Sequence, residues 1–138
     1  MKLKYCNANE LLFKEFEEML TAYESDPEMY DYESEHKCYA VYEREFKPYV
    51  MKQLQENNKP ELKKIFNFVE KLLNSGDFEL ANMVGVAVIE SLYFDSVDVD
   101  FKNTLLEFCG KTTLKSFVSC FCDEEKAEWE KTPQPQAV

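Results

Sequence analysis

The chain is predicted to be all-α, a single domain of about six to seven helices packed as antiparallel, HEAT-like hairpins around a buried helix near residues 78–94. Apolar residues recur at spacings of three and four along most of its length. Only 3 glycines and 5 prolines punctuate 138 residues, which favours long helices over turn-rich β structure. Pro27, Pro60, Gly76 and Gly110 stand where helices begin or end. Residues 1–132 are expected to form the domain and 133–138 (PQPQAV) a flexible tail.

The first helix is expected from Ala8 to Glu24, capped by Asn7 with Glu10 completing a variant of the capping box. Leu12, Phe16, Met19 and Tyr23 fall on one face of it. Asp26-Pro27 then marks a stop and a new start. Asp26 to His36 either opens the next helix or forms a short separate one. A stronger helix follows from Lys37 to Asn57, with Tyr39, Tyr42, Phe46, Tyr49 or Val50, and Leu54 as its apolar stripe. Pro48 inside it is expected to kink or break it, because proline removes one backbone hydrogen bond.

Pro60 opens a third helix whose stripe is Leu62, Ile65, Phe66, Val69, Leu72 and Leu73. Gly76 ends it in the left-handed conformation, and Asp77 caps the next helix at once. That fourth helix, about Phe78 to Phe94, is apolar nearly all round and is expected to be the buried, central one. Gly85 and Ala87 would let another helix approach closely. The stretch VGVAVI also fits a strand, but the caps and helical flanks favour a helix. Asp98 or Asp100 caps a fifth helix, with Phe101, Leu105, Phe108 and Cys109 facing inward, and Gly110 ends it. Thr112 or Thr113 caps a sixth, carrying Leu114, Phe117, Val118 and Phe121. Residues 123–132 extend it or form a last short helix, where Trp129 reads as a core anchor.

Charge is the strongest compositional signal, at −11 overall. It is uneven: net −7 over residues 1–35, +3 over 36–75, −6 over 76–101 and −1 over 102–138. Arg44 is the only arginine. An acidic chain repels phosphate backbones, so direct nucleic-acid binding is not expected. A basic protein partner fits, since complementary charge speeds encounter and selects the partner. No run of 18 apolar residues suggests a membrane span. The N-terminal MKLKYCNANELLFKEF lacks the apolar core of a signal peptide. Five cysteines at irregular spacings read as reduced thiols of a cytoplasmic protein.

The residues supply no catalytic constellation, and no enzyme activity or cofactor is expected. His36, the single histidine, sits among acids and reads as a surface residue. Cys120-x-Cys122 lacks the second pair of a zinc site, so buried or half-buried thiols are expected and no metal. Glycines at 76, 85 and 110 are too far apart for a phosphate-cradling loop. Two acidic stretches remain. Asp26, Glu28, Asp31 and Glu33 are interleaved with Tyr30 and Tyr32, and Asp95, Asp98 and Asp100 follow the apolar helix. Acids beside tyrosines suit protein recognition, because tyrosine is enriched at interface hot spots. These nine residues are the candidate partner contacts.

The run FKPYVMKQLQENNKPELKKIFNFVEKLLNSGDFELANMVGVAVIESLYFD, residues 46–95, resembles a small all-helical bacterial family. Members share the pattern F-x-x-Y … L … FVE-x-LL-x-(S/N)-GD-x-E(L/V)-x-N-x-V-x-V-x-(F/I)-(L/I)-E-x-L, and this chain departs from it at Val88. Gly76, Asp77, Asn82 and Glu90 match best and read as fold-defining positions. The resemblance implies an immunity protein of a contact-dependent or polymorphic toxin system. Its partner would be the C-terminal toxin domain, a basic nuclease in the favoured case, which an acidic inhibitor covers without any catalytic group. The alternative is a helical adaptor or chaperone-like protein-binding module.

Overall fold

The computed structural model describes residues 2–25, 37–95 and 101–131, except for the side chains of Lys37, Phe101 and Lys102. Eight helices are formed by these residues: α1 (Ala8–Glu15), α2 (Glu17–Glu24), α3, α4 (Lys59–Leu73), α5, α6 (Phe101–Glu107), α7 (Lys111–Val118) and α8 (Asp123–Glu130). Two of them are composite. Helix α3 runs through Lys37–Val41, a π-helical turn Tyr42–Phe46 and Lys47–Gln55, and α5 through Phe78–Val84, a π-helical turn Gly85–Glu90 and Ser91–Asp95. The all-α expectation holds, and VGVAVI is helical.

The two π turns follow from the apolar spacing. Cys38, Tyr42, Phe46 and Val50 are buried on α3, and Leu80, Val84, Val88 and Leu92 on α5. Both sets step by four. An α-helix has about 3.6 residues per turn, so each step of four rotates the stripe by about 40°. Three steps would swing its end away from the neighbouring helix. A turn that holds more residues winds the stripe back, as single π turns inside α-helices do. The two π turns pack against each other, with Lys37–Val41 beside Phe78–Val84 and Lys47–Gln55 beside Ser91–Asp95. Helices α3 and α5 are therefore parallel neighbours, and α4 returns between their ends.

Pro48 does not break α3. The backbone stays helical at Phe46 (φ −75°, ψ −47°) and Lys47 (φ −57°, ψ −49°). The π turn just ahead carries the irregularity that the missing proline N–H would otherwise force.

The expected helix 8–24 is broken instead at Phe16 (φ −130°, ψ 86°). Its fully buried ring packs against Phe46 at 5.4 Å and Phe68 at 5.3 Å, with Lys64 Nζ 4.7 Å from the ring centroid. Tertiary packing wins over local propensity here. The apolar face survives the break, with Leu12, Phe16 and Met19 buried. Asn7 precedes α1 but its side chain does not cap it; its Nδ2 donates to the Lys2 carbonyl at 3.0 Å. The Tyr42 hydroxyl, inside the core, donates to the Ala8 carbonyl at 2.6 Å and ties α1 to α3.

Gly76 adopts the left-handed conformation (φ 83°) two residues past the α4 cap. Asp77 caps α5, accepting from the Leu80 N–H at 3.1 Å through Oδ1 and from the Tyr5 N–H at 3.2 Å through Oδ2. These bonds, the Leu80 one foremost, hold its carboxyl below the usual range. Gly110 does not close α6 in a left-handed turn. It is extended (φ −72°, ψ 177°) and stands at the cap of α7. Thr112 and Thr113 lie inside the first turn of α7, and Glu70 of α4 supplies the capping carboxylate. Residues 123–130 form the separate helix α8, anchored by buried Trp129 on Phe121 at 6.0 Å between ring centroids.

Candidate protein-binding surface

Helix α5 is central but not buried all round. Leu80, Met83, Val84, Ala87, Val88, Ile89 and Leu92 face the core. Its other side is open: Phe78 is 82% exposed, Val86 41% and Phe94 64%. Around them lie the exposed carboxylates of Glu79, Glu90 and Asp95. Residues 76–101 contain six acids and no base, and the only cation paired with the described ones among them is Lys47, on Asp95. Exposed phenyl rings beside carboxylates give an amphipathic surface, with apolar area for affinity and charge for orientation.

Of the predicted contacts, Asp26, Glu28, Tyr30, Asp31, Tyr32, Glu33, Asp98 and Asp100 lie outside the described residues. His36 does too. Asp95 is described and engaged, its carboxylate accepting from Lys47 Nζ at 2.5 Å across the α3–α5 interface. Nearby, the Tyr93 hydroxyl donates to the Glu125 carboxylate at 2.5–2.6 Å. Burial and that carboxylate push the Tyr93 phenol up to about 12, and the same bond holds Glu125 below its usual value. Glu125 also accepts from the Cys122 N–H at 3.3 Å, closing the capping box of α8. Cys122 is exposed and Cys120 half-buried; all five thiols are free. Among the described residues, no group of three or more His, Cys, Asp or Glu side chains is placed to hold a metal ion.

Two surface hollows are lined by described residues. One, of about 280 Å³, runs along the open face of α5 and is walled by α7. The other, of about 390 Å³, lies on α4 beneath Lys63, Lys64 and Lys71, with Glu15 at its edge. Phe78, Val86, Glu79 and Glu90 were not among the predicted contacts, because α5 read as buried on every side. The signal was present: Glu79, Asn82 and Glu90 form a polar edge that a fully enclosed helix would lack. Gly76 and Asp77 form the left-handed turn and the helix cap that their residue types predict. Asn82 and Glu90 are exposed and line the hollow on α5.

An all-α domain with an open acidic, aromatic edge is thus the class that the fold defines. The chain belongs to the family described as Domain of unknown function (DUF7674), whose model matches residues 9–130. Searches of curated proteins and of solved structures return no match. Among the described residues, no helix is long and apolar enough to cross a membrane.

Proposed function

We propose that the chain is a cytoplasmic immunity protein that binds and neutralises the basic C-terminal domain of a cognate toxin. The observation that carries this reading is the base-free stretch 76–101, net −6, which displays Phe78, Val86 and Phe94 beside its carboxylates. Such a surface attracts a basic domain at long range and holds it with apolar contacts at short range. The partner is a nuclease-type toxin, whose active site is basic because it binds phosphate. The inhibitor itself acts by binding and needs neither a cofactor nor a catalytic residue. In this reading the acidic segment around Asp31 and Glu33 supplies further partner contacts.

The test is inhibition of the partner. A tagged chain captures a basic protein with a toxin-like domain from its native cell, and equimolar chain suppresses that domain's nuclease activity. Reversing Asp31 and Glu33 to lysine weakens binding without lowering the melting temperature. Capture of the domain with its activity intact would remove the immunity reading.

A further inference from the structure

The hollow on α5 has a specific shape. Phe78, Ala81, Asn82, Gly85, Val86 and Glu90 follow one another along one face of the helix. The first five are spaced as a straight α-helical stripe. The π turn beginning at Gly85 then brings Glu90, and not Ile89, to the surface. Opposite stand Ser116, Ser119 and Cys120 at the end of α7. The floor is bare: a Cβ on Gly85 would meet nothing within 4 Å. Among the described residues no helix therefore closes onto Gly85, contrary to the sequence expectation, whereas Ala87 is buried in the core.

One end of the hollow is acidic: Glu90 lines it near Cys120, whose thiol is raised by burial and further by that carboxylate, while Glu79, next to Phe78 in sequence, does not line it. The nearest bases on the second wall, Lys111 and Lys115, do not line it. A trough with a small-residue floor, Phe78 and Val86 along it, a polar second wall and a carboxylate at one end fits an amphipathic helix. Its charge selects lysine or arginine flanking the apolar stripe of that helix.

We propose that the α5–α7 hollow is a docking groove for a basic amphipathic helix of a partner protein, which seats an apolar side chain over Gly85 between Phe78 and Val86. The inference rests on reading the chain as a protein-binding domain, but not on the partner being a toxin. A peptide assay on the groove needs no toxin, so failure of groove binding and failure of nuclease inhibition are read separately.

The probe is an 18-residue synthetic Leu/Ala/Lys amphipathic helix, titrated into the ¹⁵N-labelled full chain, with its Leu/Ala/Glu counterpart as control. The expected result is saturable shifts at Ala81, Gly85, Val86 and Ser119 with the lysine peptide alone. Gly85→Leu fills the floor and weakens binding at least tenfold, and Phe78→Ser, at a fully accessible position, does so without touching the core. Shifts centred on Asp123–Glu130 would overturn the proposal. So would equal binding of both peptides, binding indifferent to both variants, no saturable binding, or a dimer of the chain itself protecting these amides.

Discussion

Glu70 on α4 caps α7, which begins at Lys111, 41 residues later: its carboxylate accepts from the Thr113 N–H and hydroxyl, both at 2.7 Å. Thr112 N–H and Asn74 Nδ2 add bonds at 3.0 Å each. Burial pushes the Glu70 carboxyl up, but these hydrogen bonds together outweigh it and hold it below its ordinary value. Because the folded value lies below the unfolded one, about 4.3, the stabilisation is complete above that pH. It is lost as the pH falls through the folded value. Glu70→Gln is expected to cost about 1–2 kcal/mol at neutral pH. Denaturant unfolding between neutrality and pH 3 checks this, since the variant should lose less stability on acidification than the native chain.

Gly110 is required by the same carboxylate. A Cβ there would come within 2.5 Å of Glu70 Cδ. Gly110→Ala is therefore expected to displace the cap and cost about 1–3 kcal/mol. The cost should shrink when Glu70 is already alanine, and a double-mutant cycle by denaturant unfolding measures that coupling.

Gly76 and Gly85 should respond oppositely to alanine, although an added Cβ meets nothing within 4 Å at either. Gly76 has φ 83°, where a side chain is strained, so Gly76→Ala is expected to destabilise by about 1–2 kcal/mol. Gly85 is helical, so Gly85→Ala is expected to stabilise by about 0.5–1 kcal/mol. Thermal unfolding of the two variants decides both signs.

Tyr42 is fully buried, and its hydroxyl satisfies the Ala8 carbonyl. Tyr42→Phe removes this bond while the Ala8 carbonyl keeps its place in the α1 helical ladder, and is expected to cost about 0.5–1.5 kcal/mol. Amide exchange should quicken in α1 before it does in α4, because the bond fastens α1 to α3.

The helices, the turn at Gly76 and the cap at Asp77 were legible from spacing and from local side-chain chemistry. The break at Phe16 was not, because no glycine or proline marks it and its cause is the distant pair Phe46 and Phe68. The Glu70 cap was hidden for the same reason, and Gly110 was therefore read as ending α6 when it admits a carboxylate at the start of α7. The steps of four through Cys38–Val50 and Leu80–Leu92 did encode the π turns, yet they pass for ordinary helical periodicity. For the binding surface, sequence composition located the acidic stretch 76–101. Which side of α5 stays open depends on where α3, α4 and α7 pack, which no local pattern records.

The most direct measurement is capture by tagged native chain and by the Glu79→Lys/Glu90→Lys variant, at low and then high salt, with bound proteins identified by mass spectrometry. The account predicts a basic protein with a toxin-like C-terminal domain, held by the native chain, partly released by salt and weakly held by the variant at either salt. An acidic partner, or one held equally by both forms and indifferent to salt, would contradict it.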